Sequence, residues 1–238
     1  MGEELAEETA DGAGSTERAR APGEGDGDRR PGRRALLVGG AAAALGTVVL
    51  AREELSHLWW RLPGVERPRD EGAVDYRGAQ WIAASSANLR RADRPDDYRI
   101  DRVIIHVTQG SYGSAVKVFQ DPSHQAAAHY VVRRDGHVAQ MIRELDVAFH
   151  AGNREYNERS VGIEHEGFVE KASSFTDAMY ASSARLTATI CARYAIPVDR
   201  THIIGHVQVP GTDHTDPGRY WDWDRYMKLV RRARTAVA

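Results

Sequence analysis

Two histidines and one aspartate stand where they could hold a metal ion. His106 closes the apolar run RVIIHV, just before Thr108-Gln109-Gly110, and His206 follows Ile203-Ile204-Gly205. A histidine at the end of a hydrophobic strand points a ring nitrogen at whatever lies above the sheet edge. Taken singly, such a residue is more often a packed core or surface histidine. The stretch GHVQVPGTDHTDPGRYWDW changes that balance, because Asp216 lies ten residues after His206 in a loop containing Pro and Gly. Such a loop can fold a carboxylate back onto a strand-end imidazole, and Pro217-Gly218 then fixes the chain direction. Two imidazole nitrogens and a carboxylate oxygen suit Zn2+. Three protein ligands leave a fourth position for water, as catalytic rather than structural sites require.

A general base could stand nearby. In SVGIEHEG, the period-2 alternation of a strand puts Glu164 and Glu166 on one face and Val161, Ile163 and His165 on the other. On an isolated strand this is a solvated face. Beside a metal, one of the two could take a proton from a water whose pKa the ion lowers. His202 alternates with Ile203 and shares the direction of His206, so it could be a neighbour of the site. His129, His137 and His165 read as residues standing on, or packed against, a sheet.

The elements needed to position these groups alternate between strand and helix signals. Residues 102–107, 160–166 and 201–206 read as strands. Residues 129–134 and 137–142 flank Asp135-Gly136, a hairpin turn signal, so one pair of strands must be antiparallel. Helices are expected over residues 114–120, 176–194 with Thr176 as N-cap, and 223–234, with basic residues near the last C-terminus. Cys191 falls inside a helix as a small packing residue. The fold class is therefore α/β, a central mixed β-sheet flanked by helices on both faces. Tyr220, Trp221 and Trp223 either cap the core beside Asp216 or line a sugar-binding surface.

The 238 residues divide unevenly. Residues 1–28 are an acidic, Gly- and Ala-rich leader with no apolar periodicity, which reads as disordered. Residues 29–51 resemble a twin-arginine export signal: Arg29, Arg30, Arg33 and Arg34 precede an uncharged apolar run, and Val49 and Ala51 fit a cleavage site. The alternatives are a membrane anchor or a buried helix. The run over 35–51 would span about 25 Å as a helix, short of the ~30 Å hydrocarbon core. Residues 52–75 read as a linker and 76–238 as the catalytic domain. Any membrane contact would be confined to residues 35–51. The formal net charge of -2 gives no support to a nucleic-acid partner. A single cysteine excludes both an intrachain disulfide and a Cys-rich zinc site.

From about residue 76 to 230 the chain resembles the type 2 N-acetylmuramoyl-L-alanine amidases, relatives of phage lysozyme-type amidases and of animal peptidoglycan recognition proteins. The resemblance is carried, in order, by VIIHVTQGSYGSA, AAHYVVRRDGHVAQMI, AFHAGNREYNERSVGIEHEGF and IIGHVQVPGTDHTDPGRYWDW. It implies a peptidoglycan-recognition-protein-like amidase fold, with His106, His206 and Asp216 as zinc ligands and Glu164 as the acid/base residue. His214 stands where many relatives have an oxyanion-stabilising lysine, and His150 matches a histidine near the substrate cleft. The implied reaction is hydrolysis of the amide between N-acetylmuramic acid and L-alanine of peptidoglycan; the segment at 29–51 adds the expectation of an exported enzyme, extracellular or cell-wall associated. Two other readings are a muropeptide-binding module without catalysis and a zinc hydrolase of another amide.

Overall fold

The computed structural model describes residues 72–237. The leader, the export signal or anchor at 29–51, and most of the linker lie outside the described residues. Among those described, no helix is long and apolar enough to cross a membrane. In chain order the elements are β1 (Ala79–Trp81), β2 (Leu89–Arg90), β3 (Arg102–Val107), α1 (Tyr112–Gln120), β4 (Tyr130–Val132) and β5 (Val138–Gln140). They continue with β6 (Val147–Ala148), α2 (Arg154–Arg159), β7 (Ser160–His165), α3 (Asp177–Arg193), β8 (Ile203–Gly205) and α4 (Trp223–Val237).

Six strands form one sheet in the order β1-β5-β4-β7-β3-β8, and β2 pairs with β6 in a small second sheet. The central strands β4, β7, β3 and β8 are mutually parallel, and β4 and β5 form the antiparallel hairpin. The sheet is therefore mixed, for the reason the hairpin signal predicted. Its turn is longer than a two-residue connection: Arg133 N donates to His137 O and Gly136 N to Arg133 O. Only Gly136 is left-handed there, at φ 88°, and a Cβ on it would meet Ala178 O of α3 at 2.9 Å. The turn thus needs glycine for its backbone angle and for its approach to α3.

Alternation decides what each face of the sheet meets. Val103, Ile105 and Val107 of β3 and Val161 and Ile163 of β7 pack into the main core with Met179, Leu186 and Ile190 of α3 and Tyr226 and Val230 of α4. On the opposite face α1 packs Ala115 and Phe119 against Val131, Ala139 and Met141, covering the β4–β5 side. Helices therefore lie on both faces, but α1 leaves the ends of β7, β3 and β8 open. The cleft described below occupies that gap.

Several boundaries differ from those read in the sequence, each through local hydrogen bonding. The first helix begins at Tyr112 because Ser111 Oγ accepts from Ser114 N, two residues ahead of the expected start. The last strand is shorter than 201–206: Asp199 holds both the backbone N and the ring of His202, and a 3-10 turn starts at His206. Asp75, assigned to the linker, belongs to the folded domain, since its carboxylate receives Arg143 and the backbone N of Glu144. Cys191 is fully buried in α3, and burial pushes its thiol up to about 12, so it is an inert packing group.

Thr176 caps α3 as expected, accepting from Met179 N, and its hydroxyl also donates to Arg134 O in the hairpin. Thr176→Ala is expected to lower stability by about 1–2 kcal/mol and Thr176→Ser by much less, measured by urea denaturation. Equal losses in the two variants would show that the hydroxyl contacts contribute nothing.

Candidate active site

Three adjacent parallel strands bring the chemistry together at their C-terminal ends, where open α/β sheets place ligand sites. The β3–β7 register sets His106 directly opposite Glu164, and Ile105 of β3 pairs with Gly205, one residue before His206. Asp216 reaches the same point from the loop after β8. Its carbonyl accepts from Val207 N, which closes the loop onto the turn holding His206, and its Oδ2 accepts from Val107 N at 3.3 Å. A Cβ at Gly205 would meet Pro217 Cδ at 2.5 Å, so this close crossing requires glycine.

The result is a buried His-His-Asp group able to hold a metal ion. The Nδ1 atoms of His106 and His206 are 3.1 Å apart. Asp216 Oδ2 lies 3.4 Å from His106 Nδ1, and its Oδ1 lies 3.3 Å from His206 Nδ1. A tetrahedral ion with bonds of about 2.0–2.1 Å has ligand atoms about 3.3–3.4 Å apart, so the three residues fit such a centre. Burial would raise the Asp216 carboxyl, but the contacts with His106 and His206 reverse this and hold it far below the carboxylate range. Burial also lowers His106, favouring the neutral ring that a metal needs.

Glu164 stands beside this group with its Oε2 buried and without a hydrogen-bond partner. Burial, and then the charge of Asp216, push its carboxyl well above the ordinary range. Glu166, expected on the same face, is used structurally: its oxygens accept from Tyr112 N and Arg134 N beyond the strand end. Both His106 and Glu164 open onto a cleft of about 1200 Å³ that His214, Thr108, Gln125 and Arg154 also line. His214 is exposed, stacks on His206 at 4.1 Å between ring centroids, and has Nδ1 3.4 Å from Asp216 Oδ1.

Comparison with known proteins shows the family. A family profile for N-acetylmuramoyl-L-alanine amidases matches residues 96–219, about half of the chain. The chain belongs to this family. N-acetylmuramoyl-L-alanine amidase A of Achromobacter lyticus is 36% identical over 176 residues, which cover 66% of this chain and 96% of that protein. The 1,6-anhydro-N-acetylmuramyl-L-alanine amidase AmpD of Salmonella typhimurium is 32% identical over 161 residues, covering 58% of this chain and 84% of its own. A crystal structure of selenomethionine AmpD superposes with a TM-score of 0.55 at 28% identity, over 69% of this chain and 99% of that one.

Within this amidase framework, His150 lines the cleft and His165 is packed, as expected, whereas His202 takes another place. The ring of His150 does not present a free nitrogen to the cleft: Nδ1 meets His106 Nε2 at 2.9 Å and Nε2 meets Ser160 Oγ at 3.1 Å. His202 is turned to Asp199, away from the site. His165 is packed between His106 O and Ser183 Oγ. Trp221 is core, packed on His165 and Tyr180, whereas Tyr220 is exposed. Ser160 and Gly162 were not singled out in the sequence, although they share the strand face of Glu164 at period 2. A Cβ on Gly162 would meet the His150 ring at 2.6 Å, so glycine is what admits that imidazole.

The raised Glu164 carboxyl has a measurable consequence. The folded, metal-free protein holds this proton to higher pH than the unfolded chain, so the group's contribution to stability falls as pH rises above the ordinary carboxylate range. Metal-free Glu164→Gln is expected to match the wild type near pH 4 and to be the more stable of the two at pH 7, by up to about 3 kcal/mol, since one proton is worth about 1.4 kcal/mol per pH unit. Denaturant melts with a chelator at the two pH values check this, and a constant difference between the two proteins would contradict it.

Proposed function

We propose that this chain is a zinc-dependent N-acetylmuramoyl-L-alanine amidase that cleaves the amide between the lactyl group of N-acetylmuramic acid and L-alanine of the stem peptide. The observation that carries the reading is the spacing of His106, His206 and Asp216, which fits a tetrahedral ion, beside a carboxylate with an unpartnered oxygen, all lining one cleft. Zinc held by these three residues would supply Lewis acidity toward the scissile carbonyl and the attacking water.

The chain's own residues supply the rest. Glu164 takes the water proton and passes it to the leaving amine, a task suited to a carboxyl whose pKa lies above its ordinary value. His214, at the cleft rim next to Asp216, donates a hydrogen bond to the carbonyl oxygen as negative charge develops there. The cleft's polar rim, including Gln125 and Arg154, meets the peptide and sugar. Export through the segment around Arg33-Arg34 would bring the enzyme to peptidoglycan, and an uncleaved segment over 35–51 would tether it to the membrane.

Mass spectrometry of muropeptides incubated with the purified protein is expected to show free stem peptide beginning with L-alanine. A chelator should abolish the release and zinc restore it. Glu164→Gln should abolish hydrolysis while retaining one equivalent of zinc. Binding without release would instead identify a recognition module, and cleavage at another bond a different amide hydrolase. His214→Ala is expected to lower kcat by about 10²–10³-fold, the usual effect of one oxyanion donor, with His214→Lys retaining most activity. Unchanged kcat in His214→Ala would remove His214 from the reaction.

A further inference from the structure

Behind His106 runs a chain of hydrogen bonds whose direction is dictated by its last member. Ser160 Oγ lies 2.5 Å from the Tyr156 carbonyl oxygen, which can only accept, so the single hydroxyl proton is committed there. Ser160 Oγ must then accept from His150 Nε2, at 3.1 Å. A neutral imidazole carries one N–H, so His150 Nδ1 is left as an acceptor, and it faces His106 Nε2 at 2.9 Å. His106 therefore carries its proton on Nε2, and its lone pair sits on Nδ1. That is the nitrogen which lies 3.1 Å from His206 Nδ1 and 3.4 Å from Asp216 Oδ2.

We propose that His150 and Ser160 are positioning residues: a one-way relay, ending on the Tyr156 carbonyl, that locks His106 into the tautomer able to bind metal through Nδ1. The relay is built rather than incidental. His150 is buried, and its backbone N and that of Ala151 both donate to Asn157 Oδ1, at 3.0 and 2.7 Å. Tyr156 and Asn157 belong to α2, and Ser160 is the residue that follows it. This short helix and the serine after it thus hold the His150 backbone and the Nε2 end of its ring, leaving Nδ1 to meet His106. Gly162 leaves space for the ring, which meets that of His106 edge-on at 5.0 Å between centroids. The other histidine of the group has no such support: His206 Nε2 is buried and has no partner among the described residues. The relay therefore biases one ligand of the two.

Hydrogen-bond partners of this kind orient a ligating imidazole and raise its basicity, and their loss typically costs about 10–100-fold in metal affinity. This rests on the zinc reading above, and the experiment separates the two. Zinc affinity is measured by competition with a chromophoric chelator for the wild type, Ser160→Ala, His150→Leu and His150→Asn, alongside the Tm of each metal-free protein. The expected result is one equivalent of zinc in the wild type and a roughly 10–100-fold weaker Kd in Ser160→Ala and His150→Leu. Partial recovery is expected in His150→Asn, whose amide oxygen can still accept from His106. Long-range ¹H–¹⁵N spectra of the zinc-loaded wild type should show His150 protonated on Nε2.

Wild-type protein that binds no zinc would remove the metal reading itself. Zinc binding in the wild type, with unchanged affinity in metal-free-stable Ser160→Ala, would overturn the relay alone, as would a proton on His150 Nδ1. Should His150→Leu fail to fold, Ser160→Ala and the spectra still decide the matter, because neither alters the packing of the imidazole.

Discussion

The parallel register between β3 and β7 places His106 beside Glu164, and much of the rest of the site is arranged around that pairing. Both residues point to the sheet face that α1 leaves uncovered, while their neighbours in sequence, Ile105 and Ile163, enter the core beneath α3 and α4. A slip of one residue in either strand would exchange these sets, burying a carboxylate in the apolar layer and exposing branched aliphatic side chains to water. The hydrophobic effect that builds the core thus also holds the metal-ligand candidate and the acid/base candidate on the same side.

The polar groups at this point are mutually dependent. Asp216 is stabilised as a carboxylate by the two imidazoles it contacts, and its charge in turn raises Glu164. An unpaired buried oxygen on Glu164 would be costly in a protein selected only for stability. It makes sense where a proton must be taken up and released. The same division appears among the histidines. Those at 106 and 206 converge on Asp216, whereas His150 stands behind the first of them with both ring nitrogens engaged.

Much of this was legible in the sequence. RVIIHV, SVGIEHEG and IIGH announced strands that carry polar groups at their ends, and Asp135-Gly136 announced the antiparallel pair. Other features were not legible, for identifiable reasons. Glu164 and Glu166 have the same local pattern, and only the ends of α1 and the hairpin decide that Glu166 receives two backbone N–H groups while Glu164 receives none. His202 and His206 share an alternation, but the Asp199 side chain captures the first before the strand begins.

The sequence by itself determined the inventory and order of chemical groups: two strand-end histidines, a carboxylate in a Pro/Gly loop, a glutamate on a central strand, and the alternation that assigns each to a face. These are local properties, set by the two-residue period of a strand and by the turn chemistry of glycine and proline. Only the tertiary structure decided which groups meet. Asp216 finds both imidazoles, and the His150 ring finds His106 over Gly162, because distant segments converge on one sheet edge. Hydrogen bonds and charges act over a few ångströms of space, whatever the separation along the chain. The role of His150 was therefore not a property of its own sequence neighbourhood, but of the serine and the helix carbonyl that fold against it.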